Sequence, residues 1–144
     1  MTNSLGPTIV VLVDLVADRS TMLEAPCVVS FDGVDVFVDT LYEILVNKLC
    51  ALLGRTEFGD RQDVRAILDL KDDLDRALTD APEKDAGFSA PTLAWLLRQF
   101  PLRHIAEASG LDATEVAELD GFRQRLTQRV LDATRPPSSG PTPR

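Results

Sequence analysis

Lys48, Arg55, Asp60 and Asp63 are the residues whose types and spacing suit chemistry on a phosphate. On a single helix, an ammonium and a guanidinium seven positions apart lie roughly 20° from each other around the axis and about 10 Å along it. Two carboxylates three positions apart share one side of the helix that follows. Cations in this arrangement can hold phosphate oxygens while a carboxylate positions a base, a metal or another cation. The same four charges also suit a buried salt bridge that only pins two helices together. Spacing alone leaves both readings open.

The segment DTLYEILVNKLCALLGR, residues 39–55, must carry the two cations. Steps of about 100° place Leu41, Ile44, Leu45, Leu49, Leu52 and Leu53 on one broad face, with Lys48 among them. Glu43, Asn47 and Gly54 fall on the opposite side. Asp39 and Thr40 form an N-cap pair, and Gly54 stands near the close of the helix. A second helix is predicted from about Asp60 to about Thr79, with Val64, Ile67, Leu68, Leu74 and Leu78 on one stripe. Asp60 caps its start and Asp63 flanks the stripe. Removing one partner of a buried charge costs about 3–5 kcal/mol, so each inward charge needs a counter-charge. Lys48, Arg55, Asp60 and Asp63 are therefore expected to meet in one cleft.

Around these helices the chain reads as α+β. Residues 8–16, TIVVLVDLV, form a nearly continuous β-branched run, as expected of a strand covered on both faces. CVVSF and VDVFV flank an Asp-Gly turn and read as a hairpin. After residue 38 the pattern is helical. Residues 82–91 read as a polar connector, TLAWLLRQF as a helix stopped by Pro101, and residues 103–109 as a short helix ended by Gly110. A last helix starts at Asp112-Ala-Thr-Glu115 and runs to about Ala133. The expected architecture is a small N-terminal β-sheet packed by about five α-helices. It forms one domain over residues 1–134, and the Pro/Ser-rich residues 135–144 are a disordered tail. Trp95 is expected in the core among Leu93, Leu96 and Leu97. Cys27 and Cys50 are expected as buried reduced thiols. His104, the only histidine, has no partner at ligand spacing.

The net charge of −8 opposes sequence-independent binding to DNA, which needs an exposed basic surface. Residues 102–116 have the cadence of a helix-turn-helix, but the second helix begins DATEVAELD and its acids would meet phosphates. An ordinary helical hairpin fits better, and no direct DNA binding is expected. The longest apolar run is interrupted by Asp14 and too short to span a bilayer. The N-terminus lacks the basic region of a secretory signal, so a cytoplasmic protein is expected.

The stretch VDTLYEILVNKLCALLGRTEFGDRQDVRAIL resembles the conserved segment of the AbiEii/AbiGii-type nucleotidyltransferase toxin family, abortive-infection and toxin–antitoxin proteins of bacteria. That family carries E-x-x-x-x-K-L-x-A-L-x-x-R before a turn and D-x-x-D at the start of the next helix. Glu43, Lys48, Leu49, Ala51, Leu52, Arg55, Asp60 and Asp63 fit it in order, and the match covers about residues 34–70. The resemblance implies a partial nucleotidyltransferase-like fold that uses a nucleoside triphosphate and Mg²⁺ to transfer a nucleotide to RNA or protein. It also implies a possible antitoxin partner. By the same resemblance Lys48, Asp63 and Asp14 are the catalytic candidates, and Lys48, Arg55 and Asp60 hold the nucleotide. Asp14 would be a metal-binding carboxylate; its other reading is a strand-end residue or an ion pair. The chain departs from the family in lacking the Gly-Ser motif and the Asp-x-Asp pair ahead of this segment, and Gly59 stands where Arg is frequent. The likeness is thus to the C-terminal portion of the family. The alternative is a non-catalytic remnant or protein-binding module in which these charges are only structural ion pairs.

Overall fold

A computed structural model of the chain describes residues 10–13, 15, 20–54 and 58–136. The expected hairpin is present, with β1 (Cys27–Phe31) and β2 (Val34–Val38) paired antiparallel, Cys27 opposite Val38 and Phe31 opposite Val34. The turn depends on Asp32 and Gly33, whose φ values of 49° and 81° are the two positive angles that a two-residue type I′ turn requires. These are the two strands of the sheet among the described residues.

Among the described residues six helices follow: α1 (Leu41–Gly54), α2 (Phe58–Leu70), α3 (Leu74–Lys84), α4 (Ala90–Gln99), α5 (Leu102–Ala108) and α6 (Ala113–Ala133). The fold is mixed α+β and mostly helical. The main core joins α1, α2, α3, α4 and α6 through Leu45, Leu49, Leu52, Val64, Leu93 and Leu126, among others. A smaller cluster of Phe100, Leu102 and Leu119 fastens α5 to α6. The start of α6 is fixed by a reciprocal capping box: Asp112 accepts from the amides of Thr114 and Glu115, and Glu115 accepts from the Asp112 amide.

Several expectations are corrected. The helix expected over residues 60–79 is two helices, broken at Lys71-Asp72-Asp73. Adjacent aspartates favour helix starts over helix interiors, and Asp73 is the N-cap of α3. The connector expected from Pro82 begins later, because Pro82 lies inside α3, and the Asp85 amide still donates to the Ala81 carbonyl. Of the strand expected over residues 8–16, residues 10–13 and 15 are exposed and carry no strand. No neighbouring strand or layer is described there to receive them, and residues 8, 9, 14 and 16 lie outside the described residues. Of the tail expected over residues 135–144, residues 137–144 lie outside as well. Trp95 is 60 % exposed, because the buried stripe of α4 runs through Leu93, Ala94 and Leu97 and turns position 95 outward. Cys27 is exposed on β1 and Cys50 half-buried. Among the described residues no helix is long and apolar enough to cross a membrane.

Candidate functional site around Lys48

The buried side of α1 consists of Tyr42, Glu43, Leu45, Val46, Leu49 and Leu52. This stripe is rotated from the expected one, leaving Leu41 44 % exposed and Ile44 only partly covered. Tyr42 and Val46 take up inward positions, and Lys48 stands at the stripe's edge rather than within it. From there its ammonium reaches the N-terminal turn of α2. Nζ lies 2.7 Å from Asp60 Oδ1 and 2.7 Å from Asp63 Oδ2. Three of the four residues expected in one cleft are thus brought together.

The two carboxylates differ in environment. The Asp60 side chain is 3 % exposed and that of Asp63 52 %, with Lys48 between them at 27 %. Asp60 lies in the first turn of α2, where the helix dipole favours a negative charge. Its hydrogen bond to Lys48, then that of Asp63, raises the Lys48 pKa above the ordinary lysine value and keeps the ammonium protonated. An ammonium has three donors, of which these carboxylates engage two. One cation and two anions leave the triad with a net charge of about −1.

Arg55 and Asp14 lie outside the described residues, so the nucleotide-binding role of one and the metal-binding role of the other have no geometry here. Among the described residues no three His, Cys, Asp or Glu side chains converge on a position that suits a metal ion. Asp60 and Asp63 both engage Lys48. With Asp14 outside the described residues, no step is derived through Mg²⁺.

Two further buried charged residues had no role in the expected site. Arg61 is 4 % exposed, and its guanidinium carbon lies 3.2 Å from the centroid of the Phe100 ring. Burial pushes its pKa down to about 10. The available signal was its spacing, since position 61 falls on the same stripe as Val64 and Ile67 or Leu68.

Glu43, expected on the outer side of α1, is 2 % exposed. Its Oε2 accepts from the amides of Leu23 and Glu24, both at 3.1 Å, while Oε1 pairs with Lys84 at the end of α3. The signal here was Thr40-x-x-Glu43, which reads as a capping box. Thr40 does accept from the Glu43 amide at 3.1 Å, but the Glu43 carboxylate turns to the incoming segment instead of capping Thr40. Thr40 donates to Glu24 at 2.6 Å and Arg76 pairs with Glu24 at 3.1 Å, so the segment ahead of the hairpin is tied to both α1 and α3. These bonds, that of Thr40 foremost, hold the Glu24 carboxyl below its usual pKa. Tyr42 completes the group by donating to Asp80 at 2.5 Å beneath the Arg76 guanidinium.

The chain matches no family model, no curated protein and no solved structure.

Proposed function

We propose that the chain is the C-terminal portion of a nucleotidyltransferase-like protein of the AbiEii/AbiGii toxin type. It would transfer a nucleotide from a nucleoside triphosphate to RNA or protein when completed by a Gly-Ser and Asp-x-Asp motif. The observation that carries this reading is the meeting of Lys48, Asp60 and Asp63, three polar positions of the resembling segment, at one half-exposed edge. Asp60 anchors the ammonium from the buried side. Asp63 holds it from the solvent side, where a ligand can compete. The third donor of Lys48 suits a phosphate oxygen, and the raised pKa keeps its charge through the neutral range. Mg²⁺ would enter with the missing motif, and an antitoxin protein and an RNA acceptor remain part of the same proposal.

Isothermal titration of the full chain with ATP, GTP, CTP and UTP, with and without Mg²⁺, tests this. Wild type is expected to bind at least one triphosphate and Lys48→Ala to lose that binding. No binding by wild type, or equal binding by Lys48→Ala, overturns the proposal.

A second reading is favoured by the occupation of both carboxylates by Lys48. In it the triad only pins α1 to α2, and the chain is a non-catalytic remnant or protein-binding module. Stability that depends on Lys48 without any nucleotide response selects this reading.

A further inference from the structure

The hairpin has one face without a single charge. Its register places Cys27 with Val38, Val29 with Val36, and Phe31 with Val34 on the same side, while Val28 with Phe37 and Ser30 with Asp35 share the other. All ten residues are exposed. Phe31 and Val34 are each 63 % exposed, and Val36 is 41 % exposed. A sheet face of apolar residues alone is the pattern of one packed against further structure, and a two-stranded sheet is marginal by itself. Among the described residues the outer edge of β2 has no strand beside it.

The charge around this sheet selects what can join it. Residues 20–47 contain Glu24, Asp32, Asp35, Asp39 and Glu43 but no lysine or arginine. Glu24 pairs with Arg76 and Glu43 with Lys84. Asp32 in the turn, Asp35 on β2 and Asp39 just beyond it form no ion pair with another described residue, leaving an acidic rim around an apolar face.

We propose that the hairpin is a docking surface for a protein partner that lays a strand alongside β2. The partner's apolar side chains continue the face of Val34, Val36 and Val38, and its lysines or arginines lie on the side of Asp35. Strand side chains alternate with a period of two, so one alternating segment meets both demands. A cation directly across from Asp35 lies at the cross-strand spacing of about 4.5–5.5 Å. A second copy of the chain would bring the same three acids to the rim. Nucleic acid and anionic membranes are opposed by the same charges. The proposal stands independently of the nucleotide reading.

The test uses the full chain and two fluorescein-labelled synthetic peptides, one alternating Val and Lys and one alternating Val and Glu, followed by anisotropy. The Val/Lys peptide is expected to bind about tenfold more tightly or better. Asp35→Lys should reverse the preference. Val36→Ser should weaken binding while the helical circular dichroism stays unchanged. Equal affinity for the two peptides, no binding of either, or Val/Lys binding untouched by both substitutions overturns the proposal. A concentration-dependent dimer in light scattering that Val36→Ser abolishes identifies a second copy as the occupant and overturns it too.

Discussion

Glu43 and Lys84 form an ion pair in which each side chain is only 3 % exposed, joining the first turn of α1 to the last turn of α3. The other Glu43 oxygen receives two backbone amides, so the carboxylate is fully engaged. Lys84→Met strands that charge in the interior and is expected to destabilise the fold by about 3–5 kcal/mol in urea unfolding. Adding Glu43→Gln should recover part of the loss, because the buried charge is then gone. A double variant as unstable as Lys84→Met refutes the assignment.

The Lys48 triad is expected to respond unequally to loss of its members. Lys48→Met removes the 2.7 Å charged hydrogen bond to buried Asp60 and should cost about 1.5–3 kcal/mol, the range for a hydrogen bond to a charged group. Asp63 is 52 % exposed, and Asp63→Asn should cost no more than about 1 kcal/mol because water screens that pair. Equal losses in chemical unfolding would show that the two contacts are not of the described kind.

The direction of the Lys48 shift fixes a pH dependence. Its folded pKa is raised by Asp60 and Asp63, so the stabilisation is complete below the unfolded lysine value of about 10.4 and is lost as pH rises through the folded value. Between pH 7 and 9 the contribution is therefore constant. Above about pH 10 wild type should lose stability more steeply than Lys48→Met, as urea midpoints over that range will report.

The hairpin, its Asp-Gly turn, the start of α6 at Asp112 and the meeting of Lys48 with Asp60 and Asp63 were all legible in the sequence. Each rests on local chemistry: turn residues, a cap spacing, or charges that need partners. The inward turn of Glu43 was not legible, because its amide partners belong to Leu23 and Glu24 and its cation to Lys84, all distant in sequence. The rotated stripe of α1 was missed because Leu41, Ile44 and Leu45 serve equally well as apolar anchors, and only packing against α2, α3 and α4 chooses among them. Trp95 was misplaced by its size, since its helical position and not its hydrophobicity sets its exposure. Of the expected site, Arg55 and Asp14 fall outside the described residues.

Gly33 is the second turn residue of the hairpin, with φ of 81° and nothing within 4 Å of the position an added Cβ would take. Gly33→Ala should therefore cost only backbone strain, about 1–2 kcal/mol. The cost falls on the hairpin, whose residues are exposed and outside both core clusters. Faster amide exchange in β1 and β2 with an unchanged helical melting transition is the expected outcome. A lowered melting temperature of the helices would mean that the hairpin supports the core.

The two thiols give a direct readout of the fold. Cys27 is exposed on β1, whereas burial pushes the Cys50 pKa up to about 11 and its thiol donates to the Ala81 carbonyl at 3.9 Å. The reactive species is the thiolate, which the raised pKa of Cys50 suppresses. At pH 8 the exposed Cys27 should react with a disulfide reagent at least about tenfold faster than the half-covered Cys50. Cys27→Ser should remove the fast phase, leaving a slow one that accelerates with urea as Cys50 is uncovered. Two thiols reacting in a single fast phase in native buffer would place Cys50 at the surface and contradict the packing of α1 on α3.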